Sequence, residues 1–355
     1  MNESEAQVAA LAAYFARHSA VPLAAQRPAL LFRPPAGLDA VAELRPGPCV
    51  QSHKPTAEAL QQSGWQVLDA PRETCRLAIV FATKHKEEIL HHLALAAEAL
   101  EEGGSLILVA ANTLGAPSLE RRLGELTGRT ETFSKHKCRV VRAFKADAQL
   151  NPALLADWKR GGELRRLPAT GCYSCPGLFS WKSLDLGSRL LAARLPADLS
   201  GCGADLGAGY GYLAREALQC APGIRELHLV EAEGKALAAA QLNLADVAGT
   251  RRLHYHWADV TAGLPLVRLD FVLMNPPFHA GRAPLPALGR AFVREALRLL
   301  KPGGRLLLVA SRQLPYEAEI RSMGGEIGSA EETQGFKIIQ ATKVRQADAQ
   351  ARLSM

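Results

Sequence analysis

Two distant stretches of the chain repeat one plan, and that repetition limits the fold more than any single motif. Glu98-Ala99-Leu100-Glu101-Glu102-Gly103-Gly104 leads into an apolar run over 106–110. Ala296-Leu297-Arg298-Leu299-Leu300-Lys301-Pro302-Gly303-Gly304 leads into an equivalent run over 306–310. Each is followed by a closing strand pattern, Arg139-Val140-Val141-Arg142-Ala143-Phe144-Lys145 in one copy and Lys337-Ile338-Ile339-Gln340-Ala341-Thr342-Lys343 in the other. Upstream, residues 76–81 match 268–273. Continuous apolar runs alternating with helical patterns indicate parallel strands buried on both faces. A chain of 355 residues is long enough for two such cores. The expectation is an α/β protein made of two tandem copies.

The remaining pattern fits that plan. A helix is expected over 5–20, strands over 29–32, 65–68 and 77–81, and a helix over 86–100. Residues 147–167 are polar and basic around Lys159-Arg160-Gly161-Gly162 and read as the boundary. Domains are therefore expected at 1–165 and 166–355. Cys172-Tyr173-Ser174-Cys175 opens the second domain. With no second pair and no His at metal spacing, no metal is expected there. Seven cysteines without a framework of spacings point to a reduced, cytoplasmic protein. No run of 18 apolar residues is present, and Met1-Asn2-Glu3-Ser4-Glu5 lacks the order of a secretion signal, so no membrane partner is expected. The net charge of +7 suits an acidic partner such as RNA. Basic clusters lie at Lys84-His85-Lys86, at Lys135-His136-Lys137 with Arg139, and at Lys159-Arg160 with Arg165-Arg166.

The copies differ where chemistry would sit. Only the second contains Asp205-Leu206-Gly207-Ala208-Gly209-Tyr210-Gly211, between a short strand pattern (202–206) and a helical one (212–218). Glycines at alternate positions let backbone N–H groups approach a ligand closely. A helix start can hold phosphate, but an acid inside the turn favours a ligand with an ammonium or hydroxyls. Glu231 ends the next apolar run, at the spacing of a carboxylate that grips ribose hydroxyls. Asn275-Pro276-Pro277-Phe278 follows a buried strand pattern at the edge where ligands of open α/β sheets lie. The prolines fix the Asn275 amide and the Pro276 carbonyl, and Phe278 offers a flat face. The set suits a planar group with an exocyclic –NH2. In the first copy Thr83-Lys84-His85 takes that place, and no Asp-x-Gly-x-Gly turn precedes residue 200.

These motifs, with Asp259 after the third strand, resemble class I S-adenosylmethionine-dependent methyltransferases. The Asn-Pro-Pro-Phe-His form, with Leu178-Phe179-Ser180-Trp181 and Asp185-Leu186-Gly187-Ser188 upstream, is similar to bacterial rRNA guanine-N2 methyltransferases of the RsmC/RlmG type, nearest the 16S rRNA group. The resemblance covers about residues 170–345 well and the first half more loosely. It implies two tandem Rossmann-like class I methyltransferase domains, the N-terminal one degenerate and left to RNA binding or structural support.

For the site, the resemblance implies S-adenosyl-L-methionine lying on Gly207, Ala208, Gly209 and Gly211. Asp205 would face its ammonium, Glu231 its ribose and Asp259 its adenine amine. Asp185 and Ser188 would close over the methionine end, although either also fits a cap for a helix from Arg189 to Leu195. Asn275, Pro276, Pro277 and Phe278 would hold the acceptor, and His279 could take its proton. The implied partner is rRNA or the small ribosomal subunit, met by a monomer that is itself a pseudo-dimer. Alternatives are a 23S rRNA enzyme, an adenine-N6 or glutamine methyltransferase, and a non-catalytic RNA-binding assembly protein.

Overall fold

The computed structural model describes residues 1–18, 28–277, 279–280, 283–284 and 286–344. The chain forms two compact units, residues 1–163 with 175–177, and residues 164–174 with 178–355.

The first unit opens on α1 (Glu3–Arg17), started by a capping box in which Asn2 and Glu5 satisfy each other's backbone N–H groups. Its strands are β1 (Leu30–Phe32), β2 (Pro48–Val50), β3 (Gln66–Leu68), β4 (Cys75–Phe81), β5 (Leu100–Ala111), β6 (Thr130–Lys135) and β7 (Cys138–Phe144). Helices α2 (Lys54–Gln62), α3 (Lys86–Ala99), α4 (Ala116–Thr127) and α5 (Pro152–Gly162) cover the sheet. The strand order is β3-β2-β1-β4-β5-β7-β6, parallel except at β7. Apolar clusters pack on both faces, so β4 is buried along nearly its whole length.

The second unit begins with the short pair β8 (Arg165–Arg166) and β9 (Tyr173–Ser174), then α6 (Leu186–Ala192). Its sheet contains β10 (Ser200–Leu206), β11 (Gly223–Glu231), β12 (Arg252–Trp257), β13 (Leu269–Met274), β16 (Leu300–Ser311), β17 (Gly325–Thr333) and β18 (Phe336–Lys343). The small hairpin β14 (His279–Ala280) and β15 (Ala283–Pro284) lies after β13. Helices are α7 (Tyr212–Cys220), α8 (Gly234–Leu244), α9 (Pro286–Leu299) and α10 (Tyr316–Ser322). The order β12-β11-β10-β13-β16-β18-β17 repeats the first sheet place for place. The segments matched in the sequence fall on β4 and β13, β5 and β16, and β7 and β18, which hold the fourth, fifth and sixth places. The fold is thus two tandem Rossmann-like domains.

Three expectations need correction. The polar stretch 147–167 contains α5, whose Asn151 side chain accepts the Leu154 N–H at 3.1 Å. Trp158, Leu154 and Leu155 pack it against the first core, so charge density concealed a helix. Strands β5 and β16 also start before their Gly-Gly pairs, which continue the strand. The helix after Asp185 begins at Leu186 rather than at Arg189.

Among the described residues no helix is long and apolar enough to cross a membrane.

Candidate active site

Strand β10 ends at Leu206, and the turn from Gly207 to Gly211 delivers the chain into α7. Gly207, Gly209 and Gly211 have φ of 74°, 53° and 83°, values that a Cβ disfavours. A side chain at Gly211 would strike Leu244 and Ala240, whereas one at Gly209 would meet nothing within 4 Å. The first close approach serves packing. The second leaves bare backbone facing open space.

The N–H groups of Gly207, Ala208, Gly209 and Gly211 are already engaged within the protein. Gly207 and Ala208 both donate to the Val230 carbonyl, at 2.9 and 3.1 Å. Gly209 donates to Glu231 Oε2 at 2.8 Å, and Gly211 to the Ala208 carbonyl at 2.9 Å. Asn243 on α8 braces the turn through the Tyr210 carbonyl at 2.8 Å and grips both backbone groups of Tyr173. With these four N–H groups already used, the turn is poor at holding phosphate. It offers a smooth surface without side chains.

Two carboxylates lie under that surface. Asp205 is fully buried; its Oδ2 accepts the Ala214 N–H at 3.1 Å, and Oδ1 has no hydrogen-bond partner. Burial, with a smaller push from Glu231, raises its pKa to about 7 against the pull of the Ala214 N–H. Burial also raises the pKa of Glu231, opposed by the N–H groups of Glu233 and Gly209. Two desolvated acids without a cationic side chain beside them favour a positively charged ligand. An orphaned buried oxygen and a cradle that a Cβ would narrow both fit S-adenosylmethionine, which carries an ammonium and a sulfonium.

Strand β13 sits beside β10 with Leu206 level with Met274, so Asn275 emerges next to the glycine turn. The Asn275 side-chain nitrogen donates to Asp185 Oδ2 and to Ser188 Oγ, each at 2.9 Å. A carboxylate only accepts, so this contact fixes which amide atom is which. Oδ1 is therefore the atom turned away from Asp185 and Ser188. Asp185 also caps α6 by accepting the Ser188 N–H at 2.8 Å. The two residues expected over the methionine end are hydrogen-bonded to the Asn275 amide and line the cavity with it.

One cavity is lined by Asp185, Ser188, Gly207, Ala208, Gly209 and Asn275, with Phe179, Tyr210, Tyr212 and Leu213. The glycine turn and the asparagine corner thus open on the same space. Phe179, at 59% exposed, is a lining residue that sequence reasoning cited only as part of a motif. Pro276 is buried and Pro277 exposed, while Phe278 lies outside the described residues. His279 is described only as the start of the β14 backbone. Asp259 follows β12; its Oδ1 accepts both the N–H and the hydroxyl of Thr261 at 2.8 Å, so it caps a short turn of helix.

Residues 170–340 match the methyltransferase small domain and residues 50–160 match its N-terminal partner domain. The ribosomal RNA small subunit methyltransferase C of Shewanella baltica is 31% identical over 274 residues, covering 75% of this chain and 76% of the relative. The chain belongs to that family. The methyltransferase C of Psychromonas ingrahamii is 29% identical over 268 residues, with 74% of each chain covered. The fold agrees with the family as well: the 16S rRNA N2 methyltransferase (RsmC) of T. thermophilus, solved with AdoMet and guanosine, superposes with a TM-score of 0.74. That superposition covers 89% of this chain and 88% of the other at 24% identity.

In this chain the first unit lacks the equivalent corners. After β1 come Arg33 and Pro34 instead of a glycine turn, and after β2 comes Gln51 instead of a glutamate. Gln51 is buried and donates to the Pro34 carbonyl at 2.9 Å. Thr83, in the place of Asn275, donates to Glu88 at 2.8 Å, and Glu88 lies 3.7 Å from the Arg33 guanidinium. Those strand ends are tied to one another.

Proposed function

We propose that this chain is an S-adenosylmethionine-dependent methyltransferase that modifies the exocyclic N2 amine of a guanine in 16S rRNA. The observation that carries the reading is the shared cavity, where the bare turn and an orientated Asn275 amide open together. S-adenosylmethionine, when bound, supplies the methyl group of its sulfonium. Gly207, Ala208, Gly209 and Gly211 give it a surface, and Asp205 balances its ammonium. Glu231 keeps lone pairs for the ribose hydroxyls, and Asp259 Oδ2 is available to the adenine amine.

Asn275 Oδ1 and the Pro276 carbonyl accept the two N–H groups of the guanine amine. That grip directs the nitrogen lone pair toward the cofactor side of the cavity. A guanine amine is a weak nucleophile, so orientation matters more than a strong base; well-placed reactants gain about 7–11 kcal/mol. The nitrogen gives up its proton easily once it carries the methyl group. Pro277 and Phe278 complete the acceptor corner, with Phe278 stacking on the base.

The N-terminal domain (1–165) contributes contacts to rRNA or the small subunit, and the C-terminal domain (166–355) carries catalysis. Lys135, His136 and Lys137 suit phosphate contact: they form the exposed β6–β7 turn, with His136 and Lys137 at φ of 52° and 57°. The protein acts in the cytoplasm, as a monomer.

Labelled-methyl transfer from S-adenosylmethionine to small subunits, large subunits and free rRNA of a deletion strain, followed by nucleoside analysis, tests this reading. N2-methylguanosine in 16S rRNA is the expected product. Label confined to 23S rRNA or to protein would overturn the substrate assignment.

A further inference from the structure

Across the sheet from the cavity edge, three neighbouring strands bring five metal-binding side chains onto one face. Cys202 on β10 is in register with Glu226 on β11, and His228 on β11 is in register with His254 on β12. His256 follows two residues later on the same face. Donor atoms of Cys202, Glu226 and His228 all lie within 4.8 Å of one another. His254 Nε2 is 2.9 Å from Glu226 Oε1, and His228 Nε2 is 3.7 Å from the same oxygen. The His228 and His254 rings stack at 4.6 Å between centroids, tilted by 15°.

We propose that this cluster is a site for a thiophilic first-row divalent cation, best met by Zn2+. The ligands are Cys202 Sγ, Glu226 Oε1, His228 Nε2 and His254 Nε2. In a tetrahedral zinc site with bonds of about 2.0–2.3 Å, ligand atoms stand roughly 3.3–3.8 Å apart. Cys202, Glu226 and His228 already lie within 4.8 Å of one another, and His254 reaches the set through Glu226 Oε1 at 2.9 Å. Thiolate, imidazole and carboxylate together select zinc over magnesium or calcium.

The surroundings are also those of a metal site. His256 Nε2 lies 2.9 Å from His228 Nδ1, so it can accept the proton there and leave Nε2 for the ion. Such a partner fixes both tautomer and ring direction. Arg252 holds Glu226 Oε2 at 2.6 Å, which leaves Oε1 aimed at the histidines. The bound ion would tie together β10, β11 and β12, the strands that carry Asp205 and Glu231 and lead to Asp259. Sequence spacing could not indicate this site, since each strand contributes only one or two ligands.

The test is titration of Co2+, then Zn2+, into chelator-treated full-length protein under reducing conditions. One equivalent of Co2+ should give a thiolate charge-transfer band and tetrahedral visible bands, both removed by Zn2+, and Zn2+ should raise the Tm. Cys202→Ser should lose the charge-transfer band, His254→Ala should weaken binding at least tenfold, and His256→Ala should weaken it about 10–100-fold. Cys172→Ser with Cys175→Ser should change nothing. The His254 side chain is 41% exposed, so its truncation should leave the fold intact and report binding alone. Circular dichroism of each variant checks this. Absence of stoichiometric binding, or a charge-transfer band that survives Cys202→Ser, would overturn the proposal.

Discussion

The Asn275 amide nitrogen and Asp185 Oδ2 stand 2.9 Å apart, although ninety residues separate them in sequence. This contact decides which face of the amide meets the acceptor. If the amide turned over, its oxygen would oppose a carboxylate and the grip on an amine would be replaced by a donor. Asp185→Ala removes that acceptor and leaves the Ser188 hydroxyl, which can pair with either face of Asn275. Labelled-methyl kinetics should show kcat down by about a hundredfold, the scale of loss for a misplaced reacting group. S-adenosylmethionine affinity should change much less. The opposite split, weak cofactor binding with kcat retained, would return Asp185 to the cofactor.

Asn275→Ala should abolish transfer while calorimetric titration still finds wild-type cofactor affinity, because the proposed role of the amide is to hold the acceptor. Retained transfer would remove Asn275 from the reaction.

Gly209 and Gly211 should respond to alanine in opposite ways. At Gly209 the added methyl meets open space, so the fold should lose only the left-handed backbone cost of about 1–2 kcal/mol while cofactor affinity falls. At Gly211 the methyl would lie 2.7 Å from Leu244, and thermal unfolding should drop further. Equal effects on both measurements at both sites would contradict the division between cavity wall and packing.

Asp205 should make stability without ligand depend on pH. Its folded pKa is raised to about 7, so its contribution is complete below the unfolded carboxylate range and is lost as pH rises through 7. Asp205→Asn should therefore raise the Tm relative to wild type at pH 8 by a few degrees, and the gain should vanish near pH 4. The same variant should bind S-adenosylmethionine more weakly at pH 8. A Tm difference independent of pH would show that Asp205 does not titrate in this range.

Reversing Lys135 and Lys137 to Glu should weaken binding to rRNA or subunits and flatten its salt dependence, by about one unit of slope per lost phosphate contact. Filter binding across a salt series reads both. Unchanged slopes would confine the first unit to a structural role.

Much of the fold was legible because parallel strands buried on both faces write continuous apolar runs. Residues 106–110 and 306–310 announced two sheets with one order. Helix α5 was not legible, since Lys159 and Arg160 outweigh the few apolar residues that anchor it. The site was legible in its composition but not in its wiring. Asp205, Glu231, the glycines and Asn275 stand out as residue types at strand ends, whereas the link from Asp185 to Asn275 exists only after folding. The partners of the glycine N–H groups were not legible for a related reason: a Gly-rich turn looks the same in sequence whether its donors face a ligand or the next strand.

The two sheets share their strand order, yet the first closes its strand ends with Arg33, Gln51 and Thr83. None of these residues lies within a strand. The apolar interior and the chemistry therefore occupy separate positions along the same strands, and either can change while the other stays. A doubled ancestor could surrender one reaction centre without weakening the scaffold that held it, leaving a second body free for another surface task.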